Sequence, residues 1–261
     1  MAHLLLSRLA MVGPLSYIGG KNRVAKRVIA MLPEHTTYVE AFAGGAQVFF
    51  HKPPSAVEIL NDLDGEVVNF FRVCQLHYEE LLRYLRFTLA SRDWFALYEL
   101  TPPASLTDVQ RAARFFYLQK NAYAGLVARR NFKLCVEKTP NFNPGRLAEV
   151  IEKAHERLQK VQIENRPYDE VIERCDRPTT LFYLDPPYWE RKLYNFNFDE
   201  EDFVKMKKVL EAVKGKFVLS LNDLPAVRKL FSQFRFTEFE MAYSSQKMAG
   251  KRFKELLITN F

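Results

Sequence analysis

The chain has 261 residues, 48% of them hydrophobic and 26% charged, which suits one α/β domain with a sizeable core, or a core domain carrying a smaller insert. No apolar run approaches the roughly 20 residues that span a bilayer, and the mildly apolar stretch His3 to Val12 is interrupted by Arg8 with no small-residue cleavage site after it. That stretch reads as an N-terminal arm rather than a signal peptide, and a cytoplasmic location is expected. Lys and Arg outnumber Asp and Glu by 38 to 31, for a formal charge of +7, which suits a polyanionic partner without requiring one. Cys74, Cys135 and Cys175 are widely spaced and odd in number, and the five histidines show no ligand spacing. Neither a disulfide framework nor a structural metal is expected.

Lys21 to Leu32 reads as a helix: Val24, Val28, Ile29 and Leu32 share a face, and Pro33 ends it. Thr37 to Phe42 is a short apolar strand that runs into Gly44-Gly45, and Ala56 to Leu60 is a second strand ending at Asn61-Asp62. The spacing of Val67, Phe71, Cys74, Tyr78, Leu81 and Leu85 predicts one long helix from about Gly65 to Ala90.

The segment from about Arg92 to Asn143 lacks a clear strand–helix alternation. It interleaves Arg111, Arg114, Lys120, Arg129, Arg130, Lys133 and Lys138 with Phe115, Phe116, Tyr117, Tyr123 and Phe132. Beyond it, Leu147 to Leu158 is an amphipathic helix, Val161 to Glu164 a strand, and Thr180 to Leu184 an apolar strand feeding Asp185-Pro186-Pro187-Tyr188. Phe203 to Val213 is a helix and Phe217 to Leu221 a strand ending at Asn222-Asp223. Phe234 to Ala242 and Glu255 to Asn260 pair as a terminal antiparallel hairpin around the loop Ser244 to Arg252. Alternating strands and helices imply a largely parallel sheet, in which ligands bind at the carboxyl ends of strands. Each polar motif sits just after a strand.

Two prolines after a strand force a rigid extended turn with no backbone donor at either. The Asp185 carboxylate and the Pro186 carbonyl then offer two acceptors, matching the two N–H donors of an exocyclic amino group. Tyr188 adds a flat face on which a base can stack. A plain turn leaving a strand has the same sequence, but Tyr188 and Trp189 favour chemistry. In Val39 to Ala46, small residues after a strand allow close approach of a ligand ahead of a helix N-terminus, although a tight turn reads the same way. Asp62 can accept from ribose hydroxyls, or Asn61-Asp62 can cap the helix beginning near Gly65. Ser16 to Lys21 places a glycine turn between an aromatic and a lysine.

In this order the four motifs resemble the Dam-like family of DNA adenine-N6 methyltransferases in the α arrangement, phage or prophage type, over most of the chain from Pro14 onward. Thr180 to Trp189 and Glu255-Leu256-Leu257-Ile258-Thr259-Asn260 carry the phage-type likeness. The resemblance implies a Rossmann-like mixed sheet with a mostly helical inserted DNA-recognition region. It divides the chain into core (14–90), target-recognition insert (91–145) and core (146–261). It implies S-adenosyl-L-methionine as cofactor and double-stranded DNA as partner, with base flipping and no obligate protein partner. Tyr17, Lys21, Phe42, Gly44, Asp62 and Asp185 fall on cofactor-binding positions, and Asp185, Pro186 and Tyr188 on catalytic ones. Lys120, Asn121, Tyr123, Arg129 and Arg130 fall on or beside the DNA-contacting hairpin, with Lys247, Lys251 and Arg252 as further phosphate candidates.

Two positions depart from the family pattern. Ala46 stands where the last glycine of the glycine motif is common. Ala124 stands where asparagine is common, so the resemblance does not carry over GATC as the recognition site, and a different short site or relaxed recognition stays open. A cytosine-N4 methyltransferase, which more often carries serine in place of Asp185, and a DNA-binding module without catalysis are the alternatives.

Overall fold

The computed structural model describes residues 11–17, 21–137, 139–190, 193–242 and 252–261. After a 3-10 turn at Lys21–Arg23, the elements in chain order are α1 (Ala25–Met31), β1 (Thr37–Glu40), α2 (Gln47–His51), β2 (Val57–Asn61), α3 (Gly65–Leu76), α4 (Tyr78–Leu85), α5 (Arg92–Leu100) and α6 (Asp108–Asn121). Then come α7 (Pro144–Leu158), β3 (Gln162–Glu164), α8 (Tyr168–Cys175), β4 (Thr180–Leu184), α9 (Glu200–Ala212), β5 (Lys216–Asn222), α10 (Pro225–Leu230), β6 (Arg235–Ala242) and β7 (Arg252–Thr259).

The strands form one sheet in the order β3-β2-β1-β4-β5-β7-β6. β1 to β5 pair in parallel, with Val39 opposite both Ile59 and Phe182, and Phe182 opposite Phe217. β7 runs antiparallel between β5 and β6. The sheet is therefore mixed, as expected, and its strand order reverses between β1 and β4. The loops after these two strands diverge there and leave a crevice.

Helices cover both faces, so the central strands are buried on both sides rather than alternating: β4 is buried at every residue and β5 from Phe217 to Leu221. In β4, Leu181 and Tyr183 face a core with Phe50, Phe70, Phe71, Phe116 and Ile151, while Phe182 and Leu184 face Phe203, Met206, Leu210 and Phe217. Asn260 clasps the start of β5, accepting from the Phe217 N–H at 3.0 Å and donating to the Gly215 carbonyl at 2.9 Å.

The predicted long helix is two helices. His77, at φ −136° and ψ 38°, separates α3 from α4. A one-residue break leaves the apolar face nearly in phase, so the periodicity continues across it: Val67, Phe71, Cys74, Leu81 and Leu85 are all buried. Tyr78 stacks on His155 of α7 with centroids 4.2 Å apart. The predicted helix at the N-terminal end is likewise a 3-10 turn followed by α1. The short helices α2, α8 and α10 were not evident from periodicity, because five to eight residues span barely two turns.

Segment 92–143 is mostly helical and rests on the same core. The Phe70 ring of α3 stacks on Phe116 of α6 at 5.3 Å. The chain then doubles back through an antiparallel bridge, Ala122 to Phe132, with the Lys133 N–H donating to the Asn121 carbonyl at 2.8 Å. Gln119 of α6 donates to the Ser16 carbonyl at 3.1 Å, tying this region to the N-terminal strap. Among the described residues no helix is long and apolar enough to cross a membrane.

Candidate active site

The crevice at the switch point is lined by Tyr17 and Lys21, by Glu40 at the end of β1 and residues 42–48 after it, by Asp62 to Asp64 after β2, and by Tyr183, Asp185 and Pro187 at the end of β4. All six predicted cofactor-binding residues (Tyr17, Lys21, Phe42, Gly44, Asp62 and Asp185) therefore meet in one cleft. Gly19 and Gly20 lie outside the described residues.

The glycine motif acts through its backbone. Gly44 has φ +46°, and a Cβ there would stand 3.1 Å from the Tyr17 ring; one on Gly45 would stand 3.0 Å from the Tyr17 Cβ. Side chains at either position would crowd the cradle. Ala46 caps α2 with φ 47°, a left-handed conformation that glycine adopts without strain, which explains a preference for glycine at this place.

Asp62 and Asp64 divide the two roles that Asn61-Asp62 left open. Asp64 caps α3, accepting from the Glu66 N–H at 2.9 Å. Asp62 instead accepts from the Gly44 N–H at 2.7 Å and the Asp64 N–H at 2.8 Å, so it braces the glycine turn and stays in the cleft. Burial pushes its carboxyl up to about 6, against the backbone hydrogen bonds that favour the charge.

At the end of β4, Lys21 Nζ donates to Asp185 Oδ1 at 2.7 Å and to the Tyr188 hydroxyl at 2.6 Å, and lies 2.9 Å from Glu255 Oε1. The Tyr188 hydroxyl donates to the same Glu255 oxygen at 2.6 Å, and so does Ser220 Oγ. Burial disfavours the Lys21 ammonium, but Asp185 and Glu255 outweigh it and hold the group well above its ordinary range. Burial pushes the Asp185 carboxyl up to about 6; Lys21 opposes this and Glu255 adds to it. The Asp185 side chain remains 21% exposed toward the cleft. Pro186 is buried. Trp189 anchors the turn through its N–H, which donates to Asn222 Oδ1 at 3.1 Å.

Sequence reasoning missed Glu255 as a site residue, and it missed Tyr194, Asn195, Phe196 and Phe198, which line the cleft's other wall. Tyr194 lies face to face with Tyr17 at 6.2 Å, and Asn195 donates to Asp64 Oδ2 at 3.0 Å. The alternating aromatics of Tyr194 to Phe198 were the available signal. Phe42 stacks on Tyr168 at 5.2 Å and meets Phe198 edge-on at 5.7 Å.

The expected DNA-contacting residues differ in exposure and in their partners. Asn121 is 3% exposed and donates to the Tyr117 carbonyl at 2.9 Å, so its side chain closes α6 instead of facing outward. Arg130 pairs with Glu99 at 3.1 Å and donates to Gln119. Arg111 pairs with Glu66, and buried Arg114 donates to the Tyr98 carbonyl at 2.6 Å. Lys120 lies over the Phe116 ring, and burial pushes its ammonium down to about 8. Tyr123, 43% exposed, and Arg129 face solvent. Lys138, Lys247 and Lys251 lie outside the described residues.

The cleft brings the glycine turn, Asp62 and the Asp185 carboxylate together at the switch point, where open α/β sheets bind ligands. The cradle above Gly44 and the acid at Asp62 fit S-adenosylmethionine. The chain belongs to the D12 class of N6 adenine-specific DNA methyltransferases, whose family model matches residues 17–245. It is 26% identical over 258 residues to the type II methyltransferase M.CviBI of Paramecium bursaria Chlorella virus NC1A, covering 94% of this chain and 96% of that protein. It is 24% identical to M1.LlaDCHI of Lactococcus lactis subsp. cremoris, with 94% of each chain covered. A 25% match to the DNA N-6-adenine-methyltransferase of Escherichia phage P1 covers 84% of this chain and 31% of that one. The protein is thus an S-adenosylmethionine-dependent DNA (adenine-N6)-methyltransferase, and DNA is its substrate.

Proposed function

We propose that Asp185 and the Pro186 carbonyl receive the two N–H bonds of an adenine amino group while Tyr188 stacks on the extruded base. The observation that carries this reading is the Asp185 carboxylate at the switch-point cleft, with Lys21 on Oδ1 and part of its surface open. S-adenosylmethionine supplies the electrophilic methyl group when bound. The adenine N6 lone pair is delocalised into its ring and is a poor nucleophile. Drawing both N–H bonds toward acceptors favours a tetrahedral nitrogen and stabilises its developing positive charge. The new C–N bond would replace the methyl–sulfur bond of the cofactor, whose electron pair stays on sulfur, while N6 gives up one proton, for which Asp185 is the acceptor beside it. Alignment of the partners contributes several kcal/mol, roughly 7 to 11 at best.

The target atom is inaccessible in stacked duplex, so the base is flipped out at a cost of a few kcal/mol. Stacking on Tyr188 offsets part of this, by about 1 to 3 kcal/mol. Residues 91–145 serve as the target-recognition insert on double-stranded DNA, with 14–90 and 146–261 as the catalytic core. Within the insert, the exposure of Tyr123 and Arg129 supports them as DNA contacts, and GATC is not assumed as the site. The enzyme works in the cytoplasm, beside the DNA it modifies.

Asp185→Ala tests the clamp. Methyl transfer to adenine-containing duplexes should fall by on the order of 10² to 10³-fold or more, while DNA retention stays near normal. Near-normal turnover in this variant would overturn the reading.

A further inference from the structure

Glu255 opens the C-terminal run that resembles phage-type members, yet the clamp described above gives it no task. β7 lies antiparallel beside β5, and its register puts Glu255 opposite Asn222, at the catalytic end of the sheet. The last strand of the chain thus delivers a carboxylate beneath the Asp-Pro-Pro-Tyr turn. The residue is 2% exposed. Among the described residues one oxygen, Oε1, takes the polar contacts: Lys21 at 2.9 Å, the Tyr188 hydroxyl at 2.6 Å, and Ser220. The other, Oε2, has no hydrogen-bond partner among the described residues. A half-used buried carboxylate is a poor device for stability, because an apolar side chain of similar volume avoids its desolvation. Its placement has another consequence. Lys21 alone would neutralise Asp185. With Glu255 on the same ammonium, the trio carries a net negative charge.

We propose that Glu255 is a positioning residue for methyl transfer, holding Lys21 and the Tyr188 phenol from beneath and keeping the cluster net negative where the amino group becomes cationic. This rests on the clamp reading of Asp185 and Tyr188. Glu255 shares Lys21 between two carboxylates, so the ammonium covers one oxygen of Asp185 and does not cancel its charge. It also fixes the phenol end of Tyr188, which limits rotation of the ring on which the base stacks.

The charge has a pH signature. Asp185 is faced by Lys21, Glu255, Tyr188, Tyr183 and Glu40. Burial holds both phenols well above 10, and it pushes Glu40 up to about 8. All three are neutral on the acid side, so Lys21 and Glu255 are the charges that set Asp185 there. The clamp needs Asp185 ionised, so the transfer rate falls as pH drops through about 6. Glu255 raises the Asp185 carboxyl; removing its charge moves that limb to lower pH.

The test is Glu255→Gln, close to isosteric, assayed by single-turnover methylation of adenine-containing duplex across pH 5 to 8 in parallel with thermal melting. At neutral pH we expect a loss of about tenfold or more in transfer rate with substrate KM values nearly unchanged, as for an interaction made mainly in the transition state. The acid limb should move to lower pH. An unmoved limb with a near-normal rate overturns the inference, as does a loss fully explained by a lowered melting temperature or a raised KM. Tyr188→Phe keeps the ring and removes the hydroxyl, so it serves if the glutamine variant does not fold. Its rate should fall too, and where both fold, the two losses should combine less than additively; additive losses overturn the coupling. Near-normal turnover in Asp185→Ala would instead defeat the clamp reading itself.

Discussion

The cleft and the helical insert use charge in opposite ways. In the cleft, Lys21, Asp185 and Glu255 are drawn together below the surface, and their pairing leaves a carboxylate edge open to a ligand. In the helical segment, three arginines are already committed to the protein. Arg111 holds Glu66, Arg114 holds a carbonyl of α5, and Arg130 holds Glu99. The first arrangement leaves a carboxylate edge exposed and the second closes its partners off, although both read in sequence as basic residues among aromatics. A cation near a ring or an acid indicates function only when its pairing leaves something exposed.

The largest effect that separates the two regions should come from Asp62. Its carboxylate braces the Gly44 turn and faces the cofactor cleft, so Asp62→Ala removes the acceptor for two backbone N–H groups and the acid available to a ribose. Hydrogen bonds to a charged group contribute about 1.5 to 3 kcal/mol. S-adenosylmethionine affinity should therefore fall by on the order of 10- to 100-fold, read by calorimetry. Arg129→Ala should leave that affinity unchanged. Equal losses in the two variants would mean that the insert and the cleft are not separable.

Legibility in the sequence follows the same division. Thr180 to Leu184 was read to the residue, because an apolar run ending in Asp-Pro-Pro has one sensible strand end. That Tyr17, Lys21, Phe42, Gly44 and Asp62 line one cleft was readable because glycine turns and strand ends fix where their neighbours go. Glu255 was not, since its role depends on which strand β7 joins, and an antiparallel insertion between β5 and β6 leaves no local mark. The break at His77 was hidden because one residue barely disturbs a helical phase. The intramolecular partners of Asn121 and Arg130 were hidden for a related reason. Periodicity shows that α6 has a buried face but not that a hairpin folds back over its end, bringing Arg130 within reach of Glu99.

A smaller contrast lies within the insert. Arg114→Ala should leave the Tyr98 carbonyl without its donor and destabilise the fold by about 1 to 3 kcal/mol, seen in urea unfolding. Its DNA affinity, measured where the protein is folded, should hold. Arg129→Ala should do the reverse. Stability should change by less than about 0.5 kcal/mol, while DNA binding weakens and the slope of log affinity against log salt falls by about one. If Arg114→Ala changed the salt slope as much, the assignment of architecture and contact within this region would be inverted.

The smallest effects belong to the hairpin tip, where Ala124 has φ 54° and Gly125 has φ 67°. Two successive left-handed residues turn the chain back toward the N-terminal strap, but only one position tolerates a side chain. A Cβ on Gly125 would stand 3.0 Å from the Ser16 carbonyl oxygen, whereas Ala124 is exposed and bears only the conformational penalty. Adjacent substitutions should therefore act in opposite directions. Gly125→Ala meets both the strained φ and a backbone oxygen, and should destabilise by about 1 to 2 kcal/mol. Because the displaced contact is the strap that carries Tyr17, it should also weaken S-adenosylmethionine binding. Ala124→Gly relieves the strain but frees the unfolded chain, and the two terms partly cancel. A gain below about 1 kcal/mol is expected, with cofactor affinity unchanged. A loss of cofactor binding in Ala124→Gly would show that the tip couples to the cleft through its flexibility and not through the contact at Gly125.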